Sequence, residues 1–359
     1  MRIGVIGAGS VGGLLAARLA IAGHDVEVVA RGATLERIRE HGISIRGAFG
    51  RGVALVAADE RLRSPVDLAI VATKLADTVA AVAPSAPALA DAIVVSAQNG
   101  LIGPELVERA IEQGLGPDRP TEAALADRAD RRDAVLGALA LFAVTATEPG
   151  RVTATAPGDV SIGRGTGPAP ATARTAANIL AEAVPARAID DFEHAQWTKL
   201  LVNHVNPLPA VTASSVQEVG RDERLRAVLA ASMRESIGVA RATGAGFASL
   251  GLLSLDMIER AERSWPDAVR VAGELSASFG EVPNPASTLQ SIRRGVPTEI
   301  DELGGRVVAI AREHGLDAPV NARLVELVHE VERTGRFRSF DETAREFASL
   351  VDLPAGCGA

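Results

Sequence analysis

The sequence predicts an α/β N-terminal domain built on a parallel, doubly wound sheet, followed by an all-α C-terminal domain. Three observations carry that expectation. Short apolar, β-branched runs alternate with helical stretches through the first half; a glycine-rich turn joins the first run to the first helix; and from Asp190 onward long helical periodicity takes over. The 359 residues are about twice the usual ~100 to 200 per domain. Two domains, 1–190 and 191–359, are therefore expected, each large enough to bury a core.

Residues 2–6 (RIGVI), 26–30 (VEVVA), 67–72 (DLAIVA) and 93–97 (IVVSA) are too apolar to face water on one side and read as buried strands. Between them, 11–22, 34–41 and 75–89 have helical character, the last interrupted by Pro84 and Pro87. The stretch from Glu112 to Asp133 mixes charge, Ala, Gly and Pro and reads as a surface excursion without chemistry of its own. Residues 139–146, 151–156 and 159–163 read as further strands, with EPG at 148–150 as a turn and a helix near 171–183. Helices are expected over 223–243, 255–275, 299–315 and 319–333.

A hydrophobic fraction of 47% excludes disorder. With a net charge of -8 and no basic run longer than the pairs at 131–132 and 293–294, the chain carries no electrostatic footprint for nucleic acid. Its one cysteine, Cys357, allows no disulfide framework, so a reduced, cytoplasmic protein is expected. Arg2 and the apolar stretch after it superficially resemble a signal peptide, but a nucleotide-binding turn explains the glycines there better. No stretch reaches the ~18 apolar residues of a membrane span.

Of 37 basic residues only Lys74 and Lys199 are lysines. Where nearly every cation has become arginine, a surviving lysine is the more readily explained by a need for an amine, since a guanidinium cannot readily give up its proton. Asparagine is almost as scarce, at positions 99, 178, 203, 206, 284 and 321.

GAGSVG at 7–12 is a GxGxxG set directly after the strand 2–6 and opening a helix. Gly7 makes the tight turn, Gly9 lets the backbone approach a pyrophosphate, and Gly12 allows close packing of helix on strand. Ala8, Ser10 and Val11 complete the loop, and the pyrophosphate would lie on the helix N-terminus. These features make the N-terminal domain Rossmann-like and dinucleotide-binding. Where an NAD-binding chain usually has an acid at the end of its second strand, this one has Ala30 and then Arg31, a cation suited to a 2′-phosphate, which favours NADP. Lys74 and Asn99 each follow a strand at the carboxyl edge of the sheet, where the ligand crevice of such folds lies, although Asn-Gly is also a common turn pair.

WTKLLVNHVNPL at 197–208 reads as one helix. On it Asn203 stands at about +40° and Asn206 at about −20° from Lys199, so that the three share a face. One amine and two amides form a poor packing surface and a good one for gripping and protonating a carbonyl compound.

GAGSVG at 7–12, Arg31, TK at 73–74, QNG at 98–100, EPG at 148–150, WxKLxxN at 197–203, NPL at 206–208, SxLQ at 287–290 and TEID at 298–301 follow one another along nearly the whole chain. In that order they resemble the ketopantoate reductase (2-dehydropantoate 2-reductase) family. The resemblance implies NADPH-dependent reduction of a small 2-oxo acid, with ketopantoate to pantoate as the expected reaction, in pantothenate and coenzyme A synthesis. It implies that Gly7 to Gly12 hold the pyrophosphate, Arg31 and Lys74 the 2′-phosphate end, and Asn99 the nicotinamide side together with substrate, while Ala146 lines the cofactor cleft. Lys199 matches the family's general acid, Asn203, Asn206, Asn284 and Ser287 its substrate contacts, and Glu299 the carboxylate that meets cofactor and substrate hydroxyl.

Three departures bear on the substrate. The NPL asparagine follows the lysine by seven residues where the family usually has eight; Val216 stands where an asparagine is frequent; and Ser291 and Gly304 replace a frequent Asp and Asn. The rival reading is an NAD(P)-dependent relative acting on another 2-oxo or β-hydroxy acid. A sensor that binds NADPH without turnover is a third reading, which a retained proton donor argues against. No metal site is expected: His24, His41 and His314 read as helix-end cations, His204 lies off the polar stripe, and His194 and His329 have no ligand-spaced partner. Trp197 and Trp265 read as core or interface anchors, and Asp301 and Glu302 as solvated helix positions. A homodimer is the assembly kept open.

Overall fold

Arg2–Ile6 (β1), fully buried from Ile3 onward, is the strand around which the N-terminal half is built. The computed structural model describes residues 1–116 and 133–353. It divides into two compact units, Met1–Phe192 and Glu193–Ala359. Most of the excursion read at 112–133, and Cys357, lie outside the described residues.

In the first unit β1 is followed by α1 (Ser10–Ile21), β2 (Asp25–Val29), α2 (Gly32–His41), β3 (Ile43–Gly47), β4 (Gly52–Ala54), β5 (Ala57–Asp59) and β6 (Leu68–Val71). Then come α3 (Thr78–Val82), β7 (Ile93–Ser96), α4 (Gly103–Leu115), β8 (Val135–Ala140), β9 (Ala143–Glu148), β10 (Arg151–Ala156), β11 (Val160–Gly163), α5 (Ala171–Leu180) and β12 (Ala186–Ala188). Eight strands form one sheet in the order β12-β11-β8-β7-β6-β1-β2-β5. The chain leaves β1 for β2 on one side and later returns to β6 on the other, so the sheet is doubly wound and reverses between β1 and β6. Alternation along β1 feeds two cores: Val5 joins Leu14, Leu15 and Leu180 on one face, and Ile6 joins Val71, Val107 and Ile111 on the other.

The expected α/β domain is thus present, with differences that have physical reasons. The run 139–146 is two strands, because the chain leaves the large sheet after β8 and enters a second, four-stranded sheet at β9. That sheet has the order β4-β3-β10-β9. An apolar run keeps its pattern whichever sheet it joins, so periodicity cannot mark the crossing. β11 pairs antiparallel with β8, so the large sheet is not wholly parallel. Over 75–89 the prolines leave only α3 as α-helix, with 3-10 turns on either side.

The second unit is helical. It runs through α6 (Phe192–Asn203), α7 (Pro207–Thr212), α8 (Val216–Arg221), α9 (Glu223–Ala242), α10 (Leu255–Arg263), α11 (Trp265–Ala277), α12 (Ala286–Arg293), α13 (Arg306–Glu313), α14 (Pro319–Thr334) and α15 (Phe340–Glu346). Helix α9 packs on α11 and α14, and α7 packs on α12 and α14. The helix expected over 255–275 is broken at extended Ser264, whose hydroxyl caps α11 by accepting from the Asp267 N–H, just before Pro266. The one expected over 299–315 opens with a π-turn at Asp301–Gly305, closed by Gly305 N–H to Ile300 O at 3.0 Å. Two adjacent glycines, 304 and 305, give the backbone the freedom to widen there.

Candidate functional site

The carboxyl ends of β1, β2, β6 and β7 lie side by side and carry the glycine-rich loop, Arg31, Lys74 and Asn99 respectively. The reversal between β1 and β6 puts that loop and Lys74 on either side of the crevice such folds use for ligands. The three glycines meet different constraints. Gly7 has φ +101° and a β-carbon there would lie 2.9 Å from the backbone of Ala72 and Thr73; one at Gly12 would lie 1.9 Å from Gly7 O. At Gly9 a β-carbon would meet no protein atom within 4 Å.

Gly9 is also the N-cap of α1, which has no side-chain cap and no acid in its first turn. The helix therefore presents open N–H groups and a positive dipole end toward space left clear by the lack of a β-carbon. That is the donor set a pyrophosphate needs, so the residues fit a dinucleotide. The Ser10 side chain is engaged elsewhere, since its Oγ accepts the Ala146 N–H at 2.8 Å and so ties β9 to the loop. Ala8 and Val11 are half-buried against the core.

Arg31 is exposed, and its guanidinium donates to Ala80 O at 2.8 Å. The acid nearest in register, Asp59 beside Val29, is held by Arg63 at 2.6 Å, which with the Glu60 N–H lowers its carboxyl to about 2. Lys74 is half-buried at the head of the 3-10 turn after β6, and Asn99 is half-buried beyond β7.

In the second unit, Lys199 and Asn203 lie one turn apart on α6. Lys199 keeps partial solvent contact, yet the protein around it removes enough water to lower its ammonium to about 8. The Nδ2 of Asn203 is buried without a hydrogen-bond partner. The rest of the helix is anchored. Trp197 is buried, and Thr198 Oγ1 bonds Ala248 O at 2.7 Å, holding the segment after α9 against α6.

The expected single helix over 197–208 is corrected: α6 ends at Asn203. Pro207 has no N–H for the Asn203 carbonyl and its ring would clash with that carbonyl in a continuing helix. The carbonyl accepts from the Asn206 N–H instead, at 3.0 Å. Buried Asn206 thereby becomes the N-cap residue of α7, and its angular position relative to Lys199 does not follow from a helical wheel. His204, between the two asparagines, is a core residue bonded to Ser236 Oγ at 2.7 Å, and burial pushes its imidazolium down to about 4.

The remaining expected residues fall on other elements of this unit. Asn284 is fixed in the loop before α12: its N–H donates to Gln217 Oε1, its carbonyl accepts from Val216 N–H, and its Oδ1 accepts from Ala286 N–H. Ser287 is exposed in the first turn of α12. Glu299 is half-buried just before the π-turn. Asn321 belongs to the packing, since it and Val320 donate to the Glu235 carboxylate at the start of α14.

Two groups of residues escape a reading of the sequence alone. Gln98 is buried beside Asn99 and makes four side-chain hydrogen bonds. Its one signal is a polar residue directly after an apolar strand. His329 and Asp301 look unpartnered in the sequence, yet the His329 ring lies 3.0 Å from Asp301 and 2.8 Å from Glu332. Asp301 and His329 stand 28 positions apart in the chain, a separation that carries no local pattern. Trp265 is half-buried. Among the described residues no His, Cys, Asp and Glu cluster could hold a metal ion, and no helix is long and apolar enough to cross a membrane.

Residues 3–167 match the family described as ketopantoate reductase PanE/ApbA, and residues 191–332 match its C-terminal part. The 2-dehydropantoate 2-reductase of Archaeoglobus fulgidus is 27% identical, covering 92% of this chain and 98% of its own. That of Mesorhizobium japonicum is 30% identical over 87% and 92%. Among solved structures, the PanE/ApbA family ketopantoate reductase from Ralstonia eutropha JMP134 superimposes with TM-score 0.74 at 27% identity, covering 93% of this chain and 99% of that one. A D-mandelate dehydrogenase solved with NADH and anilino(oxo)acetate shares the fold, with TM-score 0.77 at 19% identity and the same coverage.

Proposed function

The chain belongs to the ketopantoate reductase family, and from that premise we propose that it reduces ketopantoate to pantoate with NADPH. It is an oxidoreductase of the 2-dehydropantoate 2-reductase type. The observation that carries the proposed reaction is the pair on α6: an amine whose proton burial has loosened, one turn from a buried amide N–H with nothing to bond.

Bound NADPH supplies the hydride for C2 of the acid. Gly7 to Gly12 hold its pyrophosphate on the N-terminus of α1, Arg31 and Lys74 its 2′-phosphate end, and Asn99 and Ala146 its nicotinamide side. Lys199, as ammonium, donates a hydrogen bond to the carbonyl oxygen and then its proton to the alkoxide that forms. With a value of about 8, roughly nine in ten Lys199 side chains carry the proton at pH 7. Asn203 directs its unpaired N–H to the same acid; Asn206, Asn284 and Ser287 bind its carboxylate and chain; Glu299 accepts from its hydroxyl. The single cysteine supports a cytoplasmic setting.

Val216 favours a second reading in the same family. It is buried, and its backbone N–H is engaged by Asn284 O, where the family often has an asparagine side chain. An acid with fewer polar groups than ketopantoate, another 2-oxo or a β-hydroxy acid, suits that change. The test is NADPH oxidation with ketopantoate beside a panel of 2-oxo acids of graded size. Turnover of ketopantoate well above the panel supports the first reading, a preference elsewhere supports the second, and binding without oxidation overturns both.

A further inference from the structure

The exits of β6 and β7 are joined by one buried side chain. Gln98 Nε2 lies 3.0 Å from Thr73 O, 3.1 Å from Thr73 Oγ1 and 2.7 Å from Thr78 Oγ1, and its Oε1 accepts from Ser96 Oγ at 2.9 Å. A backbone carbonyl can only accept, so the Thr73 contact fixes which end of the amide is nitrogen. Thr73 and Thr78 bracket Lys74, whose carbonyl accepts from the Asp77 N–H at 3.0 Å. Thr73 also backs the glycine-rich turn, since a β-carbon at Gly7 would lie 2.9 Å from its backbone nitrogen. Gln98 itself continues directly into Asn99.

We propose that Gln98 is a positioning residue for the cofactor: its amide locks the loop carrying Lys74 to the loop carrying Asn99, so that both are set before NADPH arrives. The inference rests on the functional reading above, in which those two residues meet the cofactor. The chemistry suits an amide and nothing else of its size. Two N–H groups serve a carbonyl and two hydroxyls while one oxygen serves Ser96. A carboxylate would face the Thr73 carbonyl and add negative charge where a polyanion must bind. A methionine would fill the volume and leave the loops unjoined. Gly103 closes the space behind, because a β-carbon there would lie 2.4 Å from Ser96 Oγ.

The experiment is an NADPH titration, by cofactor fluorescence, of the full chain, Gln98→Met, Lys74→Ala and the double variant, with thermal melts of each. Gln98→Met is expected to raise the NADPH Kd about tenfold while kcat at saturating NADPH changes far less. The double variant should lose less than the two single losses added together, because part of what Gln98 does passes through the loop that carries Lys74. An unchanged Kd in Gln98→Met, or losses that simply add, overturns the inference. If Gln98→Met does not fold, Thr78→Val removes one arm of the bridge without changing shape, and an unchanged Kd there overturns it equally. A wild-type chain that binds no NADPH would instead defeat the functional reading, and the inference with it.

Discussion

Asn203 stands one helical turn after Lys199 on α6, and its amide nitrogen is buried with no hydrogen-bond partner. A buried donor left unmade costs about 1 to 3 kcal/mol, a cost a fold keeps where a ligand removes it. Asn203→Leu should therefore leave the melting temperature unchanged or higher while raising the KM for the 2-oxo acid about tenfold or more. A lower melting temperature with KM unchanged would make Asn203 a packing residue.

Lys199→Ala should lower kcat about 100-fold or more with NADPH affinity nearly intact, and Lys199→Arg should not restore it. The sign of the pH dependence follows from the role. Reduction needs the ammonium, so kcat for the 2-oxo acid should be nearly full at pH 6 to 7 and fall by half as pH rises to about 8, and further above it. Oxidation of the hydroxy acid needs the free amine and should rise over the same range. Steady-state rates in both directions from pH 6 to 10 check this, and parallel profiles would count against proton transfer by Lys199.

Much of this is legible in the sequence because scarce residues sit in strong local patterns. The glycine-rich loop lies between an apolar strand and a helix, and the lysines stand out in an arginine-rich chain. What cannot be read is set by long-range pairing. Nothing local marks where the chain leaves one sheet for another after β8, or that Gln98 reaches Thr73, 25 positions away. The break after Asn203 is different, since Pro207 is visible and acts on the carbonyl four residues back. A helical wheel cannot be carried through it, so the angle between Lys199 and Asn206 does not follow from their spacing.

Arg31 donates to Ala80 O, and the neighbouring Asp59 is occupied by Arg63 and Arg39. The acid in register with the end of β2 is therefore engaged rather than offered to the ribose hydroxyls of NAD, while an exposed guanidinium is available for a 2′-phosphate. Arg31→Asp should shift the ratio of kcat/KM from NADPH toward NADH by at least about tenfold. An unchanged ratio would remove Arg31 from the cofactor site.

His204 links stability to acid. Burial holds its folded value at about 4, against 6.5 when exposed, so below 6.5 the unfolded chain takes up a proton that the folded chain refuses. Stability should fall as pH drops from 6.5 toward 4, by about 3 kcal/mol in all from this group. His204→Leu should flatten that part of a urea-denaturation series. Ser232 and Ser236, whose hydroxyls contact the two ring nitrogens, keep their backbone acceptors, Leu229 O and Ser232 O respectively.

Gly9 and Gly12 separate binding from folding. A β-carbon at position 12 would overlap Gly7 O, and that oxygen is backbone with little room to yield. Gly12→Ala should therefore destabilise the first unit, by about 1 to 3 kcal/mol on the scale of overpacked cores. Gly9→Ala meets nothing within 4 Å beyond its own chain neighbours and helix, and its φ of -76° is one that L residues adopt. Its melting temperature should stay within a few degrees of wild type, yet NADPH binding should weaken at least about tenfold, because the methyl group would stand where the pyrophosphate approaches the backbone. Melts and NADPH titrations on the same samples decide the matter. If Gly9→Ala bound NADPH as wild type does, the phosphates would have to lie elsewhere than on the N-terminus of α1.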